Sequence, residues 1–395
     1  MNKKLGFNSI AVHGGYHVRE GPVNPPLDNS STYKFASCDD GAAKFAGDKM
    51  GIYTRLGTGI VNVLCKRIAL MEGGHGGHAV ASGMAALRAV VDAILRPGDH
   101  TINTASMYGP SRMMFEDPKY FPNLGIETDF TDTSNPDNAR ELIKENTAAL
   151  FIETPANPVL AITNLDEMSA IAKENDLYLV VDNTFCSPYL QRPLDHGADI
   201  VYHSLTKSIG GHSRAVGGMV ISKNERDYEH MKDIVMNTGG VLSPEVANIM
   251  LAGIGTLGIR MDRMQENAMK FAEYLSADKD IAWVNYPGLA THPAYDLVKS
   301  GKQMFGPGNM MTFGFKNGYE FAKKVLDNME LFTLAVSLGG IESLIEHPAS
   351  TTHCGIPEDE RIKAGITPEL IRVSVGIENI EDLLEDYEQA KKKSA

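Results

Sequence analysis

Between residues 76 and 222, short apolar runs alternate with segments of helical spacing. No other feature of the chain restricts its fold as much. The runs are HAVAS, HTINTA, IETDFTD, TAALFIET, LYLVVD, ADIVYHS and GGMVIS. Strands joined through helices pair in parallel, because a parallel neighbour needs a long crossover. Their nearly continuous apolar character places both faces under helices. The pattern predicts an α/β fold whose large domain carries a mostly parallel seven-stranded sheet. In such sheets ligands sit beyond the carboxyl ends of the strands. Ser82, Tyr108, Asn157, Asp182 and Lys207 all fall just past expected strand ends, so they converge on one site.

Within VYHSLTKSIGG, Lys207 follows a buried strand on a polar turn that ends in glycines. Desolvation lowers the pKa of a lysine amine readily, which suits a Schiff-base nucleophile. Asp182 ends the preceding strand, LYLVVD. A lone lysine on a loop is more often a solvated charge, and a lone aspartate at a strand end is more often a cap or turn former. The pair together suits pyridoxal phosphate (PLP), with the lysine on its aldehyde and the acid on its pyridine nitrogen. Ser82-Gly83, between a strand and a helix, has the arrangement that points backbone N–H groups at an anion. That signal gains meaning only if a phosphate must be held.

The rest of the chain frames this core. Residues 1–58 read as an irregular arm, with Gly14-Gly15 and a turn cluster from Pro22 to Pro26; such an arm packs on another domain or subunit. Val61, Leu64, Ile68 and Met71 recur at helical spacing over 60–72, and residues 59–255 form the large domain. From Ser243 the chain turns helical. Strand candidates IAWVNY, MMTFGF and LIRVSVG, with helices near 318–328 and 377–392, predict a small α+β domain over 256–395. A net charge of −13 argues against a nucleic-acid backbone as partner. The four scattered cysteines show no metal-ligand spacing and no disulfide framework. No secretory signal follows the first lysines, and Arg88 and Asp92 interrupt the best candidate span, so a soluble cytoplasmic protein without metal is expected.

The motifs YTRLG, ASGM, RPGD, ETPANP, VVDNTF, HSLTKSIGGH, SLGGIESLIEHPASTTH and RVSVG together make the chain resemble the PLP-dependent cysteine/methionine-metabolism (trans-sulfuration) family. Its members include cystathionine gamma-synthases and gamma-lyases, O-acetylhomoserine sulfhydrylases and methionine gamma-lyases; the resemblance is greatest to the last. It runs from about residue 8 to 390 and implies an aspartate-aminotransferase-like fold (fold type I). It also implies that Lys207 holds PLP and moves protons, that Asp182 pairs with the ring nitrogen, and that Tyr108 stacks on the ring and protonates the leaving group. To do more than donate, that phenol would have to fall below its ordinary pKa of about 10. Ser82, Gly83, Met84, Ser204 and Thr206 are implied as phosphate ligands. Tyr53 and Arg55 are implied to reach the phosphate of a neighbouring subunit, in a homotetramer built from catalytic dimers. Arg372 would grip the substrate carboxylate with its planar fork, with Ser337 contacting substrate and Asn157 the ring hydroxyl. The activity implied is γ-elimination on methionine or homocysteine, with γ-replacement on an O-acylhomoserine as the alternative.

Four places depart from the methionine gamma-lyase pattern: Thr58-Gly59, Pro110 where a cysteine is usual, Val235-Met236, and Arg214 where an aspartate is usual. Arg214 would favour a substrate with a second negative group if it faced the site. Val336 stands where cystathionine enzymes usually carry glutamate, and it suits an apolar γ-substituent or simple core packing.

Overall fold

The computed structural model describes residues 5–47, 50–355, 358–363 and 365–394. Parts of the expected arm, residues 1–4 and 48–49, therefore lie outside the described residues.

Seven strands form the first sheet: β1 (Gly76–Val80), β2 (His100–Thr104), β3 (Glu127–Thr131), β4 (Thr147–Glu153), β5 (Tyr178–Asp182), β6 (Ile200–Ser204) and β7 (Gly218–Ser222). Their order is β1-β7-β6-β5-β4-β2-β3. The run from β3 to β6 is parallel throughout. β7 alone is antiparallel to its neighbours, β1 and β6. The reason is local: β6 and β7 are joined by a loop with no crossover helix, so the chain returns against its own direction.

Alternate residues of each strand face different cores, as the two-residue period of a strand requires. Leu150, Ile152, Leu179 and Val181 pack under the helices Gly59–Glu72 and Leu165–Glu174. Phe151, Val180, Tyr202 and Val220 pack under the helices Gly83–Ile94 and Glu225–Thr238. A layer on each face leaves only the strand ends open to a ligand.

The arm is more ordered than its sequence predicts. It contains helices Phe7–His13 and Cys38–Ala46 and a 3-10 turn Thr54–Leu56. Ser37 caps the second helix by accepting from Asp40 N, while the Asp40 carboxylate reaches back past the cap to accept from Ala36 N. Both helices are too short for periodicity to reveal.

The second sheet contains β8 (Ile281–Asn285), β9 (Met310–Phe315), β10 (Thr333–Leu334), β11 (Leu344–Glu346) and β12 (Leu370–Ser374), in the order β10-β11-β12-β9-β8. It is covered by helices Gly318–Asp327 and Ile380–Ser394. Helix Leu257–Ala277 joins the two halves. Its Met261 and Met264 belong to a core of the first sheet, whereas Ala268, Phe271 and Leu275 belong to that of the second. Its 21 residues make a rod about 30 Å long. Among the described residues no helix is long and apolar enough to cross a membrane; Arg88 and Asp92 form an ion pair at 2.8 Å.

Candidate active site

β4, β5 and β6 end side by side. Glu153 is in register with Asp182, and Asp182 with Tyr202. Their side chains open into a cavity of about 430 Å³, which the second sheet closes from the far side with Ser337 and Arg372. Of the residues expected at the site, Ser82, Gly83, Met84, Tyr108, Asn157, Asp182, Ser204, Thr206, Lys207, Ser337 and Arg372 all line this cavity.

At one end lies the start of helix Gly83–Ile94, whose first N–H groups lack intrahelical partners. Ser82 caps it, its Oγ accepting from Ala85 N at 3.1 Å. Backbones crowd here: a Cβ on Gly83 would stand 2.9 Å from Ser204 Cβ, and one on Gly218 would stand 2.0 Å from the Ser82 carbonyl oxygen. Larger residues at these positions would collide with Ser204 and the Ser82 backbone and force apart the segments that meet at the helix start. Thr206 Oγ1 accepts from Gly217 N at 3.1 Å, which holds the turn that carries Lys207.

Lys207 Nζ donates to Ser337 Oγ at 2.8 Å. Burial, reinforced by the nearby Arg372 charge, brings its pKa down to about 8. Ser337 has φ +102, unusual for a non-glycine residue, and it serves both ends of the site. Its hydroxyl meets the lysine while its carbonyl accepts from Arg372 Nη2 at 2.8 Å.

Asp182 is positioned by Thr184, whose N–H donates to its Oδ1 at 3.0 Å. Its remaining exposure is to the cavity, and burial raises its pKa. Among the described residues no lysine or arginine pairs with it. Tyr108 sits at the cavity mouth, and burial outweighs Arg372 to push its hydroxyl upward. The phenol is therefore kept protonated, and the fall needed for a second role as base is not provided here.

Arg372 is held on three sides. Nη1 donates to Asn157 Oδ1 at 2.8 Å, and Nη2 meets the Ser337 carbonyl and, at 2.7 Å, Glu346 Oε1.

Two acidic residues of the site went unread in the sequence. Glu153 accepts from Tyr108 N at 2.7 Å through one oxygen and from Asn157 N at 2.9 Å through the other. Burial, and then the Asp182 charge, push its carboxyl up to about 8. Its signal was the one used for Asp182, an acid closing an apolar strand. Glu346 closes a three-residue strand that no pattern reveals.

Tyr53 and Arg55 do not reach this cavity. Tyr53 is 43% exposed, and the Arg55 guanidinium bonds to the Met236 carbonyl and lies 5.8 Å from the Tyr53 ring centroid. Arg214 is exposed and, like Pro110, does not line the cavity. Val336 does line it.

This donor set fits pyridoxal phosphate. A carboxyl without a protein cation can pair with a pyridine nitrogen, a lysine of lowered pKa can meet an aldehyde, and an open helix start can receive a phosphate.

Comparison with known proteins agrees. A family profile described as Cys/Met metabolism PLP-dependent enzyme matches residues 8–392. The L-methionine gamma-lyase of Fusobacterium nucleatum subsp. polymorphum is 42% identical over 395 residues, covering 99% of each chain. The cystathionine gamma-lyase of Bacillus subtilis (strain 168) is 42% identical over 393 residues, also covering 99% of each. The crystal structure of cystathionine gamma-lyase from Lactobacillus plantarum, complexed with L-serine, superposes with a TM-score of 0.91 at 33% identity over 98% of both chains. The chain therefore belongs to the Cys/Met metabolism family of PLP-dependent enzymes and is a carbon–sulfur lyase of that family.

Proposed function

We propose that this enzyme performs γ-elimination on methionine or homocysteine, consuming water and releasing 2-oxobutyrate, ammonia and a thiol. The observation that carries the choice of substrate is Val336. It lines the cavity, and it is an apolar side chain where a distal amine would need an acid. Val336 is 55% exposed, so an apolar methylthio group can rest against it, whereas a distal amine would find no acid there. Similarity to methionine gamma-lyase and to cystathionine gamma-lyase is equal in identity, so the wall of the cavity has to decide between them.

In this reading Ser82, Gly83, Met84, Ser204 and Thr206 hold the cofactor phosphate. Asp182 pairs with the ring nitrogen, Asn157 meets the ring hydroxyl, and Tyr108 lies against the ring. When bound, PLP supplies an aldehyde that captures the substrate amine and a ring that withdraws electrons from Cα. Arg372 fixes the substrate carboxylate, aided by Ser337. Lys207, with its amine brought down to about 8, takes the proton from Cα, gives it up again, and only then takes one from Cβ. Tyr108, kept protonated by its raised pKa, donates its phenolic proton to the departing sulfur.

The reading extends to assembly. Residues 1–58 act as an arm that carries Tyr53 and Arg55 to a neighbouring subunit's phosphate, residues 59–255 and 256–395 act as its two domains, and pairs of subunits associate as a tetramer. Exposure of Tyr53 and Phe35 on this arm supports the contact.

The test is direct. The purified holoenzyme is incubated separately with methionine, homocysteine, cystathionine and O-acetylhomoserine, with and without an added thiol, and 2-oxo acid is followed. Release from methionine or homocysteine alone is expected. Turnover of O-acetylhomoserine only with thiol would replace this reading with γ-replacement.

A further inference from the structure

We propose that Glu346 sets how tightly a carboxylate binds at Arg372, and so acts as a specificity-determining residue of the site; this rests on the reading of Arg372 as the carboxylate anchor. Glu346 and Arg372 are partners in register across antiparallel β11 and β12. Side chains directly opposite each other in such a pair emerge on the same face. Here they meet as an ion pair at 2.7 Å, with the side chains only 4% and 2% exposed. Little water reaches either charge, so each acts strongly on any third charge nearby.

Glu346 is also anchored from its other side. Its Oε2 accepts from Thr351 Oγ1 at 3.0 Å, and its Oε1 accepts from Thr352 Oγ1 at 3.5 Å. Thr352 lines the cavity, as Arg372 does. The carboxylate is thus held in place behind the guanidinium and cannot swing away when a ligand arrives.

A carboxylate entering the cavity therefore meets a guanidinium whose charge is already balanced. It gains the N–H bonds that Asn157, Ser337 and Glu346 leave free on the guanidinium, and it also feels the repulsion of Glu346 on that same group. Orientation is retained while net attraction is reduced. An amino acid tied down at its amine as well as its carboxylate stays bound. A 2-oxo acid product, which has lost that amine, is released more easily. Glu346 trades carboxylate affinity for discrimination between substrate and product.

The experiment uses holoenzyme and propionate as a non-reacting carboxylate, with its affinity measured by calorimetry and as inhibition of 2-oxo acid release. Glu346→Gln keeps an oxygen for Arg372 and removes the charge. Propionate is expected to bind about tenfold more tightly, the order of one unscreened charge contact near the surface of a cavity. The substrate KM should fall by more than kcat changes. Glu346→Asp, which withdraws the charge by one methylene, should bind propionate with affinity between wild type and the glutamine variant. If Glu346→Gln does not fold, propionate binding by Glu346→Asp no tighter than wild type overturns the proposal. Unchanged or weaker propionate binding in Glu346→Gln, with loss of that binding in Arg372→Met, also overturns it while leaving Arg372 as the anchor. Unchanged propionate binding in Arg372→Met overturns the anchor reading itself.

Discussion

Glu153 and Asp182 stand opposite each other at the ends of two parallel strands, and both carboxyl groups open into the same cavity. Two acids so placed do not both ionise freely. Glu153 favours its neutral form, first because it is buried and then because Asp182 is near. In the proposed reading, Asp182 is the member that would be charged, paired with the cofactor's ring nitrogen. Glu153 remains as the acceptor that ties together the loops of Tyr108 and Asn157.

That relationship carries a pH signature. The folded chain keeps a proton on Glu153 from the ordinary glutamate value of 4.5 up to about 8, whereas the unfolded chain loses it. The folded state therefore binds more protons across that interval, and stability falls as pH rises through it. Glu153→Gln, which resembles the neutral carboxyl, should lose less stability between pH 5 and 8 than wild type when cofactor-free protein is melted. Parallel profiles would refute the assignment. Glu153→Ala removes the acceptor of two N–H groups and should cost about 1–3 kcal/mol.

Lys207 predicts the rate at which cofactor-free enzyme reloads. A neutral amine is the reactive form, and the depressed pKa makes it the majority form above about pH 8. Reloading, followed by absorbance, should rise with pH through a midpoint near 8 and level off above it. A rise continuing toward the ordinary lysine value of 10.5 would show the amine to be solvated. Lys207→Ala should abolish both borohydride-stable labelling and 2-oxo acid release.

Val336→Glu should move preference toward a substrate with a distal amine. The ratio of kcat/KM for cystathionine to that for methionine should rise about threefold to fivefold, the scale of a charge finding a partner at a half-exposed position. An unchanged ratio would remove Val336 from the substrate pocket.

Arg55 predicts complementation between subunits. Arg55→Ala and Lys207→Ala should each be impaired alone. Mixed, they should form assemblies in which one site has both residues intact, and activity should return. If mixing under exchanging conditions restores nothing, Arg55 serves its own chain through the Met236 carbonyl.

Much of this was legible in the residues. Long apolar strands announce the first sheet, and their ends locate Asp182, Lys207 and Tyr108, because burial on both faces leaves a clear periodic mark. β10 and β11, at two and three residues, leave no such mark, so Glu346 stayed hidden with them. Glu153 carries the same mark as Asp182, an acid closing the apolar run TAALFIE. The arm helices depend on a cap and on tertiary contacts such as Phe7 against Tyr189, whose ring centroids are 5.0 Å apart. The fold of Arg55 back onto Met236 depends on a contact across 181 residues, which no local pattern encodes.

The helix Leu257–Ala277 roots one end in each core, with the amine of Lys207 on one slab and the guanidinium of Arg372 on the other. In the proposed reading the substrate is held as in a caliper, between two jaws whose relative placement that rod helps to set, together with the Lys207–Ser337 and Arg372–Asn157 contacts. Adding or removing one residue inside that rod would rotate one jaw against the other, and the gauge would be lost although every residue in the gap remained unchanged.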